Sequence, residues 1–584
     1  MEGGALPTTR RGLIAGGSVA AVSSLAGCFD RLWSQAETTG PDQVTMSIKT
    51  VPADDDPLAA TIANRLRENF TEAGIDASHH PIAKAELHRE VLLEHDYDVF
   101  VVRHRGFDEH DSLYGLLHSQ FVSERGWQNP FQFADLTVDD LLERQREASN
   151  DDRPTELVDL VEFLLEAVPY TVVAHPYRIS GVQSSLEAAT PPRDIPSYVD
   201  LLSDENNGSL DGRVELGVFG ENLTQRLNPL TVDRNRIDGV LDLLYDPLVR
   251  QFEDEYVLWL AADVEWDDDN GLRADVTLRD GLEWHDGESI DADDVAFTLE
   301  LIEDTSLGDA ESAIPAPIYR DQQLLVESTD VYAPDSISIS FGEVSRDVAR
   351  RVFTMPLLPE HIWADRSEII ANRQTEVLAS DNEEPIGSGL FAFEEATEDN
   401  EVLLEPFEAH VFYESEDRPS VLENFSHFGG LRFDIVSKPG TMVETLFDGE
   451  IDITASELPP ERVGDVQGTS DVTTAMNSSE SFYMVGYNNQ HDELANPNFR
   501  RICSRLIDRE TTVEDVFNDF GDPATTPAKL VGMHNADFDD DDELDSLTPD
   551  VLNFPGSAGS IDTAQTRSLF EDIGYSYDDG VLLK

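Results

Sequence analysis

Residues 259–302, WLAADVEWDDDNGLRADVTLRDGLEWHDGESIDADDVAFTLELI, read as a hairpin, a tight turn and a capped helix in unbroken succession. Before the turn, Leu260, Ala262, Val264 and Trp266 alternate onto one apolar face; after it Leu272, Ala274, Val276 and Leu278 do the same, with Arg273, Asp275 and Arg279 pointing outward. Asn270-Gly271 between these runs tolerates positive φ at both residues, the strongest short-range hairpin signal. Asp291 is placed to cap a helix, Asp294 three residues on completes a near capping box, and Val295, Leu299 and Ile302 form its buried stripe. His285-Asp286 lies in the turn between hairpin and helix and reads as solvated turn chemistry rather than an acid/base pair.

Outward from this stretch, the chain is 584 residues long with 40% hydrophobic residues, enough for several compact units or one large two-lobed body. Its 118 acidic residues face only 40 basic ones, a net charge of -78, and just five of the basic residues are lysines (Lys49, Lys84, Lys438, Lys529, Lys584). Such a field strains a compact state at low salt, whereas at ~1 M salt the Debye length falls to about 3 Å and the repulsion is screened. The whole surface therefore reads as adapted to very high salt, a halophilic composition. Nucleic acid is excluded as a partner, because no basic stripe exists to displace counterions.

Residues 8–28, TTRRGLIAGGSVAAVSSLAGC, combine the pair Arg10 and Arg11, an uncharged stretch from Gly12 to Gly27, and small residues before Cys28. They resemble a twin-arginine export signal ending in a lipobox. The resemblance implies that Cys28 carries a lipid, that residues 1–28 are a lipoprotein signal and 29–43 a polar stalk, and that the protein is exported and anchored on the outer face of the cytoplasmic membrane. Cys503 sits among Phe499, Ile502 and Leu506 at helical spacing and reads as a small buried hydrophobe.

From Val44 strands and helices alternate, the pattern of an α/β fold. VTMSIKT (44–50) and DYDVFVV (96–102) read as strands, Leu58–Ala73 and Ala83–Leu93 as helices, and two further helical patterns precede the strand YTVVAHPY (170–177). Residues 181–212 show no sustained period and read as a linker. FDDDDELD (538–545) lacks the glycine of a calcium loop and reads as a solvated charge run. His79-His80 are not expected to bind metal, and no nucleophile elbow, His-Glu-x-x-His or phosphate loop is present, so neither an enzyme nor a cofactor is expected.

The stretch LRDGLEWHDGESIDADDVAFTLE (278–300) resembles the signature of the solute-binding proteins of ABC importers, in the peptide- and nickel-binding family 5. PIGSGLFAFEEA (385–396), TMVETLFDGEIDITASELPPERV (441–463), MVGYNN (484–489) and NPNFRRICSRLIDRETTVEDVF (496–517) resemble further motifs of that family; Ser388 and Leu390-Phe391 depart from its usual threonine and its proline-tyrosine ending. The resemblance implies an α/β, two-lobed periplasmic-binding-protein fold, class II-like and large, with mixed sheets, an extra subdomain and a ligand cleft between the lobes. The family order is disturbed: segments expected after GVLLK (580–584) stand instead at residues 44–180. A circular permutation accounts for this, with 44–180 as a permuted C-terminal segment, 181–212 as the bridge, and 213–584 as the first lobe, the extra subdomain and part of the second lobe.

In peptide-binding members, the resemblance implies, an aspartate in the loop after DVFVV meets the ligand's amino terminus. Asp108 and Asp111 lie in that loop, although its sequence, RHRGFDEHD, lacks the usual aspartate-proline pair and Phe107 stands near the key position. Arg103, His104 and Arg105 are alternatives suited to a carboxylate, because a guanidinium matches one in bidentate fashion. Glu221 and Asn222, and Tyr487 and Asn488, end strands that reach the cleft in the family. The expected function is capture of a small solute, a peptide first, and its delivery by a monomer to a permease and ATPase complex. Nickel or sugar capture is the alternative within the family; a secreted hydrolase or a non-transport receptor is the alternative outside it.

Overall fold

The computed structural model describes residues 42–584 apart from 108, 125, 127, 150, 204–211, 221–223, 225, 231–237, 253–254, 372–373, 415–417, 424, 426–428, 534–543, 545–546 and 548. Arg10, Arg11, Cys28, Asp108, Glu221, Asn222 and all of FDDDDELD except Leu544 lie outside the described residues.

A 12-stranded mixed sheet runs through the molecule. In chain order its strands are β1 (Thr45–Thr50), β2 (Asp76–Pro81), β3 (Val99–His104), β4 (Tyr170–Gln183), β5 (Val214–Phe219), β6 (Phe391–Thr397), β7 (Glu401–Pro406), β8 (Leu431–Val436), β9 (Ile453–Thr454), β10 (Val472–Ser478), β11 (Phe482–Tyr487) and β12 (Gly521–Pro523). The spatial order is β6-β7-β8-β5-β9-β4-β11-β3-β1-β2, with β10 and β12 also paired to β4. β1, β2 and β3 are mutually parallel, as are β5, β8 and β9, while β4 and β11 run antiparallel to their neighbours.

Two large hydrophobic cores make the two lobes, one gathering residues between Val44 and Ala174 with residues between Phe482 and Leu582, the other residues between Val182 and Ile435 with Ile453 and Ala475. A third, smaller cluster packs Ile179 of β4 with Met442, Leu446, Leu458 and Val466. β4 belongs to both: Tyr170 to Ala174 pack into one core and Val182 into the other. The chain crosses a second time between β10, which pairs with residues 177–183 of β4, and β11, which pairs with residues 170–174. Two crossing strands joined by ladder hydrogen bonds form the stiff base on which the lobes face each other.

The stretch 259–302 folds largely as its pattern dictates. Strands Ala261–Asp267 and Arg273–Leu278 pair antiparallel within a four-stranded sheet, and Asp291 with Asp294 forms a full capping box on the helix Ala292–Glu303. The apolar face differs by one residue at its start. A bulge between Ala261 and Asp263 shifts the register, so Leu260 and Ala261 are buried and Ala262 is exposed.

Residues 181–203 are not the surface linker that the lack of period over 181–212 implied, and 204–211 lie outside the described residues. β4 continues to Gln183, and Asp194 caps a helix Ile195–Leu201 whose Ile195, Tyr198 and Leu201, with Leu202, are buried in the first-lobe core. Seven residues span too few turns to display a helical period. At the other end of the chain, the Val44 amide donates to the Leu582 carbonyl at 2.9 Å, the Leu582 amide to Gly74 at 2.9 Å, and the Lys584 amide to Asp42 at 2.9 Å. The helix Thr563–Asp572 packs through Phe570 on Phe499, with ring centroids 5.3 Å apart.

Candidate functional site

In open α/β sheets ligands bind beyond the carboxyl ends of the parallel strands. Here β1 ends at Thr50 and β3 at His104 in one lobe, β5 at Phe219, β8 at Val436 and β9 at Thr454 in the other. Between them, Arg103 of β3 meets Glu457, three residues beyond β9. Arg103 donates through Nη1 to Glu457 Oε2 at 2.5 Å and through Nη2 to Oε1 at 2.8 Å, a bidentate pair across the lobe boundary. Its Nε and Nη2 also reach Ser481 Oγ, at 3.0 and 2.7 Å, in the second crossing. Arg178 on β4 brings its Nε to 3.6 Å from Glu457 Oε1. On the second-lobe side Tyr483 donates to Asp56 Oδ1 at 3.1 Å, and the same carboxylate caps the helix Pro57–Glu72 through the Ala59 amide.

Burial and charge shape these groups together. Burial alone disfavours the charged form of Arg103, but Glu457 outweighs it and holds the guanidinium firmly protonated. Burial likewise pushes the Glu457 carboxyl up, and Arg103 then Arg178 pull it below its usual range. Arg178 is the exception: burial, reinforced by the charge of Arg193, pushes it down to about 10. Burial also raises the Asp56 carboxyl. At the lobe crossing Arg103 and Arg178 thus stand beside the carboxyl groups of Glu457 and Asp56.

The loop after β3 meets the second crossing directly. Gly106 has φ +102, and a Cβ there would lie 2.6 Å from the backbone of Glu480, so this position of RHRGFDEHD requires glycine. His104 stacks on Phe482 at 4.7 Å and lies tilted against Phe107 at 5.0 Å, and its Nδ1 accepts from the Gly106 amide at 3.1 Å. His104 and Phe107 therefore form an aromatic wall, and Arg105 beside them is half-buried.

Asp111 is fully buried and committed elsewhere. It accepts from Arg146 Nε and Nη2 at 2.8 Å each, from Gln145 Nε2 at 2.9 Å and from Arg351 Nη1 at 2.6 Å. Burial pushes its carboxyl up, but Arg146 and Arg351 dominate and hold it well below the ordinary carboxylate range. Arg351 comes from the inserted region of the first lobe and also donates to Asp321 at 2.9 Å and Ser112 at 3.0 Å, while Arg153 pairs with Glu109 at 2.5 Å. Four donors saturate Asp111, which leaves no room for a ligand amine. Its place is in a bolt between loop and subdomain.

Tyr487 and Asn488 lie at the far end of β11. The antiparallel register sets Phe482 opposite His104 and Tyr487 opposite Val99, so the site faces the start of this strand and not its end. Tyr487 is buried with its hydroxyl 2.8 Å from Thr171 Oγ1, and Asn488 donates to the Tyr97 carbonyl at 2.8 Å. The residues missed by sequence reasoning are Glu457, Arg178, Ser481, Asp56 and Tyr483. Glu457 carried one usable signal: it closely follows EIDIT, a strand expected to end at the cleft.

Residues 255–584 match the model of the family described as bacterial extracellular solute-binding proteins, family 5 Middle. The oligopeptide-binding protein AppA of Bacillus subtilis (strain 168) is 22% identical over 321 residues, 54% of this chain and 53% of the relative. The chain therefore spans about half the length of that relative. The probable peptide-binding protein YejA of Agrobacterium fabrum is 30% identical over 142 residues, 24% of this chain and 21% of the relative. Among solved structures, NikZ from Campylobacter jejuni in complex with Ni(L-His) aligns with TM-score 0.43 and 16% identity, covering 64% of this chain and 65% of that one. AppA from Bacillus subtilis in complex with a nonapeptide aligns with TM-score 0.43 and 16% identity, covering 64% and 66%.

Proposed function

We propose, from the premise that this chain belongs to the bacterial extracellular solute-binding proteins of family 5, that it captures a small peptide between its lobes and delivers it to an ABC importer. The observation that carries this reading is the paired crossing of β4 and β10–β11, which sets the carboxyl ends of β3 and β9 face to face with Arg103 and Glu457 between them. Two lobes on a two-strand base close over a ligand as a hinged jaw. Peptide is the favoured solute because the relatives AppA and YejA bear peptide-binding names.

Attachment to the membrane rests on the sequence of residues 8–28: Arg10 and Arg11 would direct export of the folded protein, and Cys28 would carry the lipid. The twin-arginine route suits a highly acidic chain that folds in concentrated salt before export. The circularly permuted order is supported by the pairing of Val44 with Leu582, which joins the segment 44–180 to the end of the family-matched region within one core.

Equilibrium dialysis in concentrated potassium chloride against a pool of short peptides tests the reading. Depletion of particular peptides without new cleavage products is the expected result. Stoichiometric hydrolysis fragments, or no depletion at millimolar protein, would remove it.

A further inference from the structure

The lobes also meet away from the strand crossing. Leu113, Leu117 and Leu142 belong to the second-lobe core and Val348, Val352 and Phe353 to the first-lobe core, so the polar residues between these two sets face one another across the lobe boundary. Arg351 of the first lobe donates through Nη1 to Asp111 Oδ2 at 2.6 Å and through Nη2 to Ser112 Oγ at 3.0 Å, both in the second lobe. Along the same boundary Arg320 donates to Glu124 at 3.1 Å and the Ser345 amide to the Arg146 carbonyl at 2.9 Å. The seam is tight at Gly115, where a Cβ would lie 2.9 Å from the Asp321 side chain.

Burial sets this junction apart from the pair at the crossing. The side chains of Arg351 and Asp111 are 4% and 0% exposed, against 27% and 28% for Arg103 and Glu457. Concentrated salt screens exposed pairs and leaves buried ones far less affected, so the buried junction is the one that keeps its grip there. Each partner also has a companion on its own side of the boundary. Asp111 accepts from Arg146 twice at 2.8 Å and from Gln145 at 2.9 Å, and Arg351 donates to Asp321 at 2.9 Å. Parting the lobes breaks the bonds of Arg351 to Asp111 and Ser112 but strands neither charge, and a stranded charge is what makes a buried pair so costly to break. The junction has the construction of a latch that opens and not of a weld.

We propose, on the basis of the solute-binding reading, that Arg351 is a positioning residue for capture: by gripping Asp111 and Ser112 across the boundary it holds the lobes shut and sets how long a captured solute stays. Its terminal nitrogens are engaged by Asp111, Ser112 and Asp321, so it acts through the placement of the lobes and not by contact with solute. Asp321 aims the guanidinium at the boundary, and the planar fork reaches three partners at once, which a lysine cannot do. Solute enters and leaves while the lobes are apart. Weakening the latch therefore speeds release and does not slow entry.

Release is read by loading the full chain with a pool of random tripeptides in about 2 M potassium chloride, removing the excess by rapid desalting, and following the departure of bound peptides by mass spectrometry. Arg351→Gln leaves Asp111 with Arg146 and Gln145, and should release the peptides about tenfold faster than the parent while loading at least as fast. Arg320→Gln loses the bond to Glu124 nearer the surface and should speed release by a smaller factor, which keeps the test open should Arg351→Gln fail to fold by circular dichroism. Small-angle X-ray scattering without peptide reads the lobes directly, and the variants should show a larger radius of gyration than the parent. Unchanged release, an unchanged radius or slowed loading in the folded variants overturns the latch and leaves solute capture standing. A parent that retains no tripeptide overturns peptide capture instead, and the radius then decides the latch by itself.

Discussion

Arg351 donates through Nη1 to Asp111 Oδ2 at 2.6 Å, tying together residues 240 positions apart. Asp111 is completely buried and Arg351 nearly so, and the pair is completed by Arg146, Gln145, Asp321 and Ser112. Replacing Asp111 by Asn leaves two buried guanidiniums facing a neutral group. We expect a loss of about 3–5 kcal/mol in urea unfolding at high salt. Adding Arg351→Met should recover part of that loss, since it removes one of the stranded charges; a double variant no more stable than the single one would show that the two residues do not act as a pair.

Glu215 makes stability depend on pH. It lies on β5 opposite Arg432 of β8, and its carboxyl is pushed up to about 7 by burial first, then by Asp434 and Asp452, against the favourable charge of Arg432. A carboxyl whose folded pKa exceeds its unfolded value near 4.5 contributes stability below that value and loses it as pH rises through about 7. Glu215→Gln should therefore unfold at a higher temperature than the parent at pH 8 and at the same temperature at pH 4. Calorimetry at the two pH values reads this directly, and a variant less stable at pH 8 would reverse the assignment.

How much of this was legible in the sequence depended on distance along the chain. The hairpin and capping box of 259–302 are local, and so were readable from alternation and from Asp291 with Asp294. The glycines of PIGSGLF were readable only as a motif. Their cause is tertiary, since a Cβ on Gly387 or Gly389 would sit 2.0 or 2.1 Å from the carbonyls of Leu244 or Leu243. Ser388, where the family usually has threonine, keeps the hydroxyl that accepts from the Asp246 amide at 3.2 Å. The bulge at Ala261 leaves no compositional mark, and Arg103 and Glu457 are 354 residues apart with no pattern linking them. Tyr487 and Asn488 fall at the end of β11 away from Arg103, a placement the sequence did not reveal because strand direction within a sheet is fixed by partners that a single strand does not show.

The export reading rests on three residues. Cys28→Ser should release the mature protein from membranes into the soluble fraction, and Arg10→Lys with Arg11→Lys should retain precursor inside the cell. Fractionation and immunoblotting in cells grown at high salt check both. A Cys28→Ser protein still wholly sedimenting with membranes would remove the lipid.

The proposed circular permutation makes the most demanding prediction. Val44 pairs antiparallel with Leu582 through a 2.9 Å hydrogen bond, and Gln43 bridges Leu583 in the same sense. Lys584 donates to Asp42 at 2.9 Å, so joining Lys584 to Asp42 would place the turn at these two residues, just beyond the bridged pair Gln43 and Leu583. Loops of about 2–5 residues are the ordinary length for such a hairpin. A rearranged chain that starts at Arg213, runs to Lys584, passes directly into Asp42 and stops after Gln183 keeps both strand crossings and both halves of the shared core. It discards the buried helix Ile195–Leu201, whose Ile195, Tyr198 and Leu201 fill the first-lobe core, so some stability should be lost. A second version that carries residues 184–212 after Gln183 as a tail should recover that loss, because the helix needs only to reach its groove. Both chains should fold cooperatively in concentrated salt and retain the same peptides as the parent. A rearranged chain that stays unfolded even with the tail would mean that the adjacency of Val44 and Leu582 is a consequence of the present connection and not a trace of an older one.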